Sequence, residues 1–420
     1  MKVNNAVIAV LAVVIVVAAG AAVIIMKPSS EIDTGDHIDV VGNEIKKLDE
    51  VNSIACVGQN SLRICTYLGV TDKVSMIDWN DSYHYVKTYM YAASADIQGL
   101  PHTSANCKIT ADDARVLIDE VKPDVIIMGK TTCYDGATNE VQSLYKAGLN
   151  IVVIDDYLFE YIDTKTFELE DNFVDMVRDV AYAVNASERG DEFINGMKGI
   201  INDIRSLVDG KDCGKTAYIG CVSYNGSHPL DKSIWSYAPF ALAGVKSILP
   251  EGKYSENGNV SVQTYSIADL TKWSDENTVI FLDANGFTKI KEESSKQLVQ
   301  IWADNECYMV GPYVGTGMNY ENGLVNAYQI IHYMYGDSVL DKDGMDKKID
   351  NVYDVFYGTH ISQRHVCAQD SDWDGISDYP PLPDGTRIYD DFNFVISKLR
   401  GISIYGEVDL LADGTVKYLG

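Results

Sequence analysis

The feature that most constrains this chain is an alternation with an interruption in it. From about residue 48, short apolar runs take turns with amphipathic stretches. The first set of runs is VNSIACV (51–57), KVSMID (73–78), DVIIMG (124–129) and NIVVID (150–155); a second is TAYIGCVS (216–223), TVIFLD (278–283) and CYMVGPYV (307–314). Between them lie ADDARVLIDEV (111–121), NEVQSLYKAG (139–148) and ESSKQLVQIWAD (293–304), apolar at helical spacing. Asp112 and Asp113 suit a helix N-terminus, Pro123 closes that helix, and Gly148 closes the next. Short β-runs alternating with helices predict parallel sheet covered on both faces. The interruption is residues 169–208, with no Pro and only three Gly. Phe173, Met176, Val177, Val180 and Val184, then Phe193, Met197, Ile200, Ile201, Ile204 and Leu207, keep spacings of three and four. That pattern predicts helix, broken near Asn185–Gly190. A further helix is expected over Gly323–Tyr335.

Charge removes one class of function. Asp and Glu number 61 against 34 Lys and Arg, a formal charge of -27 over 420 residues. So acidic a surface repels phosphate backbones, which argues against nucleic-acid binding and against docking on anionic lipid. Tyrosine is abundant, with 27 Tyr and 5 Trp against 10 Phe. A ring with a hydroxyl suits clefts and interfaces better than a dry core.

Ala6–Met26 is an apolar run of 21 residues without a charge or hydroxyl. As a helix it spans about 30 Å, the thickness of a bilayer's hydrocarbon core. A cleavable signal has a shorter apolar stretch, so an uncleaved single-pass anchor is expected, with the acidic body outside the cytoplasm. Lys2 and Lys27 flank the run almost symmetrically and do little to orient it. The eight cysteines (Cys56, Cys65, Cys107, Cys133, Cys213, Cys221, Cys307, Cys367) show no CxxC. They permit disulfides without dictating a pairing. Cys56, Cys221 and Cys307 lie in apolar runs and read as small core residues. Asn80, Asn185, Asn225 and Asn259 head Asn-x-Ser sequons.

Five stretches carry a resemblance. VNSIACVGQNSLRICTYLGVTDKVSMID, ITADDARVLIDEVKPDVIIMG, the Tyr182–Leu207 helix, NTVIFLDANG and WADNECYMVGPYVGTGMNYENGLVNAYQIIHYMYG follow one another in order. Together they resemble the substrate-binding proteins of ABC importers for iron–siderophore, haem and cobalamin, over about residues 48–360. The resemblance implies two Rossmann-like α/β lobes joined by a long linker helix. Residues 1–28 are then the anchor, 48–165 the N-terminal lobe, 166–210 the helical linker, 211–360 the C-terminal lobe and 361–420 a small extension. It further implies a cargo held between the lobes, delivery to a membrane permease, and lobes that rock only slightly.

Ligands of open α/β sheets sit outside the carboxyl ends of the strands, which directs attention to the residues after each run. In the first lobe these are Gly58–Ser61 with Asn60, then Trp79, Asp81, Tyr83, His84 and Tyr85, then Lys130 and Tyr134, then Asp156 and Tyr157. The second lobe offers Tyr224, Asn225, His228, Trp235, Asn285 and Tyr313. Aromatic rings with a few polar anchors suit a bulky metal chelate, and a histidine can ligate iron or cobalt. The expected ligand-binding set is Asn60, Trp79, Tyr83, His84, Lys130, Tyr134, Tyr157, Tyr224, His228, Trp235 and Tyr313. In the resembling family an acidic residue on each lobe meets permease arginines. Glu140 occupies that place in the first lobe, whereas SIWSYAPFALAGVKSI in the second has no Glu. No cluster of arginines marks the strand ends, an argument against a strongly anionic chelate.

The last sixty residues do not fit the resemblance. Asp370, Asp372, Asp374, Ile376 (through its carbonyl) and Asp378, with Gly375 at the turn, match the start of an EF-hand-like calcium loop. Pro381 stands where the closing Glu belongs, so a shorter, structural Ca²⁺ site is expected. LLADGTVKYL (410–419) reads as a terminal hairpin, and Asp341-Lys-Asp343-Gly as a turn.

No catalytic constellation is visible: GxSxG and HExxH are absent, and GKDCGKT (210–216) is one residue short of a P-loop and precedes a strand. The expectation is a binding protein and not an enzyme: a membrane-tethered carrier that hands a metal chelate to an ABC permease. A ferric siderophore type comes first, haem or a corrinoid next. The alternatives are a chelatase-like enzyme of the same architecture and a calcium-dependent cell-surface module.

Overall fold

The computed structural model describes residues 37–82, 87–97, 99–223, 229–252, 262–286, 289–290, 292–315, 317–358 and 406–419. The apolar run, the calcium-loop candidates Asp370–Asp378, and Tyr83, His84, Tyr224 and His228 lie outside them. Among the described residues no helix is long and apolar enough to cross a membrane.

Four strands, β1 (Ile54–Val57), β2 (Val74–Met76), β3 (Val125–Gly129) and β4 (Ile151–Ile154), pair in parallel in the order β2-β1-β3-β4. Apart from Ser75 in β2 their residues are apolar, because both faces are covered. Ile54, Cys56, Ile127 and Ile154 face one core cluster, while Ala55, Val57, Ile126 and Val153 face another. Helices α1 (Ser61–Tyr67), α2 (Thr88–Ile97), α3 (Ala111–Arg115) and α4 (Asn139–Lys146) alternate with the strands. The start of α3 is fixed by a capping box in which Thr110 and Asp113 bond each other's backbone amides. Beyond Arg115 the helix widens into a π-type stretch, Val116–Val121, and ends at Lys122, with φ 50° ahead of Pro123.

The predicted long helix is two helices, α5 (Asp171–Ala183) and α6 (Ser187–Val208), packed on each other. The break falls where expected, at Val184–Ala186, and Asn185 turns the chain with φ 59°.

The remaining elements in chain order are β5 (Thr216–Gly220), β6 (Lys232–Ile234), α7 (Ala238–Leu242), β7 (Lys246–Ser247), β8 (Val262–Thr264), α8 (Ile267–Trp273), β9 (Thr278–Asp283), α9 (Glu293–Ile301), β10 (Cys307–Val310), α10 (Tyr320–Tyr335), α11 (Lys342–Tyr357), β11 (Gly406–Leu410) and β12 (Val416–Tyr418). They build a second sheet in the order β12-β11-β10-β9-β5-β7, parallel from β10 through β7. β6 and β8 form a separate antiparallel pair. The hairpin expected near the C-terminus is present as β11–β12, and it extends this sheet by pairing antiparallel to β10.

Two readings need correction. The closing helix begins at Tyr320 rather than Gly323. Asp341-Lys-Asp343-Gly is not a free turn: Asp341 caps α11, accepting from the Gly344 amide at 2.7 Å. α11 then packs against α10, α6 and α1, so the chain returns to the first lobe after completing the second.

Candidate functional site

The strand ends are held by buried aspartates. Asp78, after β2, accepts from the amides of Gly58 (2.9 Å), Asn80 (2.9 Å) and Cys107 (3.0 Å). Asp156, after β4, accepts from the Thr131 amide at 2.9 Å and from the hydroxyls of Thr131 and Thr132 at 2.6 and 2.7 Å. Asp283, ending β9, accepts from the amides of Asn285 and Tyr313 at 2.8 Å each. Burial raises all three carboxyls above the ordinary range, Asp283 to about 7, against the pull of these donors. The Gly58 amide, expected to face the cleft, is therefore committed to Asp78.

Beyond β1 the two lobes meet directly. Asn60, 3% exposed, donates to the Asp156 carbonyl at 3.2 Å. Its Oδ1 accepts from Arg63 at 2.9 Å, and Arg63 also donates to Asn319 of the second lobe at 2.8 Å. The Arg63 guanidinium lies 3.6 Å from Glu321 and over the Tyr89 ring, 4.3 Å from its centroid. Tyr67 donates to Glu321 at 2.5 Å, and Tyr161 to the Tyr320 carbonyl at 2.9 Å. Nearby, Lys87 and Tyr89 both donate to Asp81, at 2.8 and 2.6 Å. Asn60 is thus a member of an inter-lobe polar network. Arg63 and Glu321 were missed because a charge on a helix ordinarily reads as solvated, and Lys87 and Asn319 because a polar residue just ahead of a helix reads the same way.

A cavity of about 340 Å³ opens beside this network, where the loop after β4 faces the strand ends of the second lobe. Phe159, Glu160, Ile162, Asp163, Thr164, Lys165 and Glu170 form one wall, and Trp235, Ser236, Ala238, Glu251 and Tyr313 the other. Glu160 reaches across, accepting from the Ser236 hydroxyl at 2.9 Å. The lining carries four carboxylates against Lys165. Glu170 is raised by burial and then by Asp163 and Glu160. Trp235 and Tyr313 are the two expected ligand residues brought together here.

The other described candidates lie elsewhere. Tyr157 is half-buried, its ring 5.9 Å from Phe159 at the edge of the cavity. Trp79 is half-buried, with its amide donating to Thr103 at 2.8 Å. Lys130 is half-buried and opens the π-type turn Lys130–Tyr134. Tyr134 packs edge-on against Tyr145 of α4, ring centroids 6.5 Å apart. Glu140 lines a separate groove of about 360 Å³ with Ala111, Arg115 and Ile118, between α3 and α4. No group of three metal-ligating side chains occurs among the described residues. Glu160, Asp163 and Glu170 were not foreseen, because they lie six residues and more past the end of β4.

No family model and no curated protein matches the sequence. Solved structures do match. The periplasmic molybdate-binding protein of a Haemophilus influenzae ABC transporter aligns with a TM-score of 0.53 at 14% identity, over 76% of this chain and 97% of its own. A periplasmic solute-binding protein from Veillonella parvula aligns with a TM-score of 0.50 at 13% identity, over 76% and 91%. The likeness is one of fold: the chain has the fold of the periplasmic solute-binding proteins of ABC transporters.

Proposed function

We propose that this protein is a binding protein, not an enzyme, that captures a metal chelate between its lobes and delivers it to an ABC permease. The body works outside the cytoplasm and the N-terminal apolar run tethers it to the membrane. The observation that carries the reading is the cavity where Phe159, Trp235 and Tyr313 meet polar groups from both lobes, in this fold. Apolar rings with a few convergent polar anchors are the ordinary make-up of a small-molecule site. Trp235 and Tyr313 hold the cargo from the second lobe. Asn60, Trp79, Lys130, Tyr134 and Tyr157, with Tyr83, His84, Tyr224 and His228, remain proposed contacts, and Glu140 the proposed permease contact.

A ferric siderophore-type chelate is the first proposal, and haem or a corrinoid the next. The lining orders these by charge. Glu160, Asp163, Glu170 and Glu251 face the cavity with Lys165, so a neutral or positively charged complex fits this wall better than a polyanion.

The test is thermal unfolding of the full-length chain in detergent against ferric chelates of differing charge, haem and cobalamins, each with and without calcium. A ligand at 100 times its Kd stabilises the folded state by about 2.7 kcal/mol. A shift with one chelate class supports the reading and names the cargo. Unchanged melts across the panel would sink it, and a response to calcium alone would favour the cell-surface module.

A further inference from the structure

Cys56 in β1 and Cys65 in α1 lie with their Sγ atoms 3.6 Å apart, the Cys56 thiol donating to Cys65. Both side chains are fully buried. Among the described residues no other two sulfurs are in hydrogen-bonding contact, although Cys107, Cys133, Cys221 and Cys307 are buried as well. A disulfide bond is about 2.0 Å long, so joining these sulfurs asks each side to move by less than an ångström, roughly. The segment that such a bond closes contains the turn Gly58–Asn60, in which Asn60 holds φ 62°, and Arg63, which reaches Asn319 and Glu321 in the other lobe.

We propose that Cys56 and Cys65 are a disulfide-forming pair, joined as the chain folds in an oxidising compartment, and that the bond fixes the turn presenting Asn60 and Arg63 to the second lobe. The oxidant is a disulfide compound of the glutathione class or a disulfide-bearing thiol oxidase. The thiolate of one cysteine attacks a sulfur of the oxidant, expelling one oxidant thiolate and leaving a mixed disulfide. The thiolate of the other cysteine attacks the protein sulfur of that mixed disulfide and expels the second oxidant thiolate. Two electrons pass to the oxidant, and the two thiol protons end on its two thiolates. Both sulfurs are enclosed, and burial holds the Cys56 thiol protonated. Exchange therefore precedes the seating of α1 on the sheet, and the folded, reduced protein is inert. The pairing stands on the two sulfurs; its occurrence in the cell rests on the extracytoplasmic placement proposed above.

The sequence makes the pairing directly readable. Trypsin cuts after Lys47, Arg63 and Lys73, so Leu48–Arg63 carries Cys56 alone and Ile64–Lys73 carries Cys65 alone. The reduced, unfolded full-length chain is refolded in detergent with glutathione disulfide, quenched in acid, alkylated under denaturing conditions and digested without reduction. The expected product is these two peptides joined, disappearing when the digest is reduced, with a melting temperature above that of the same chain refolded under reducing conditions. In Cys65→Ser the Leu48–Arg63 peptide should be recovered alkylated, and refolding with or without the oxidant should give the same melt. Recovery of both wild-type peptides alkylated, or each joined to other cysteine peptides, overturns the proposal. A link in the refolded chain that is missing from exported protein leaves the pairing standing and counts against the extracytoplasmic placement.

Discussion

The hydroxyl of Tyr67 in the first lobe donates to Glu321 in the second at 2.5 Å, with both side chains buried. Arg63, also fully buried, stands 3.6 Å from the same carboxylate. The lobes therefore share charge and hydrogen bonds on the β1 side, and the cavity beside this contact is left between surfaces already fixed. Under the function proposed above, a cargo would enter such a site without a wide hinge opening. The two-helix connection α5–α6 and the return of α11 to α1 act in the same direction.

A buried ion pair is costly to break and cheap to delete whole. Glu321→Gln should therefore destabilise the protein by about 3 kcal/mol or more, because it strands the Arg63 guanidinium. Arg63→Met combined with Glu321→Leu should cost less than either single change. Urea unfolding of Glu321→Gln, of the double variant and of its two component singles checks this. A double variant that loses the sum of the singles would refute the coupling.

How much of this was legible in the sequence follows from which forces act locally. The sheet runs, α3, α4 and the break near Asn185 are set by short-range periodicity, capping and turn chemistry, and they fall where those rules put them. The start of α10 was not legible. Asn319-Tyr320-Glu321-Asn322 looks like a polar loop until Tyr67 reaches Glu321 from 254 residues away and Arg63 reaches Asn319 from 256. Asp341 was misread for a related reason, since an isolated Asp-Lys-Asp-Gly has no visible helix to cap. The cleft was half legible: strand-end logic found Trp235 and Tyr313, while the Glu160–Glu170 wall belongs to a loop whose course only tertiary packing decides. The hairpin was visible, but its partner strand was not.

Asp283 makes stability fall with pH. Its carboxyl titrates at about 7 in the folded protein against an ordinary 3.8, because burial outweighs the amide donors. Between those values the folded state holds a proton that the unfolded state has lost, so raising pH through that window removes stability. The contribution is fully present below about pH 4 and lost above about pH 7, roughly 4 kcal/mol at most. Asp283→Asn removes the titration and should flatten the decline, although it also weakens the hold on Tyr313. Denaturant midpoints from pH 4 to 8 for both proteins give the slopes; parallel slopes would rule Asp283 out as their source.

The cavity wall should discriminate by charge. Glu160→Gln keeps an oxygen for Ser236 and removes one negative charge, so it should weaken a cationic chelate and tighten an anionic one, each by about twofold to fivefold. Trp235→Ala should weaken any bound chelate by about tenfold or more, as loss of a central aromatic does. Titration calorimetry at low and physiological salt measures both. Equal effects of Glu160→Gln on cations and anions would locate the cargo away from this wall.

Gly323 supplies a case in which helix propensity predicts the wrong sign. It lies in α10, where alanine ordinarily improves an exposed helix by about 1 kcal/mol. A Cβ at Gly323, however, would sit 2.0 Å from the Tyr161 hydroxyl, which donates to the Tyr320 carbonyl at 2.9 Å and joins the lobes. Tyr161 is fully buried beside Phe173 and Tyr320 and has no room to withdraw. Gly323→Ala must push the lobes apart or break that hydrogen bond, at a cost of about 2 kcal/mol or more. Tyr161→Phe in the same background frees the contact only at the oxygen. The pair should therefore be less destabilised than the two changes summed, a deviation that a double-mutant cycle reads directly. Simple additivity would place Tyr161 out of reach of position 323.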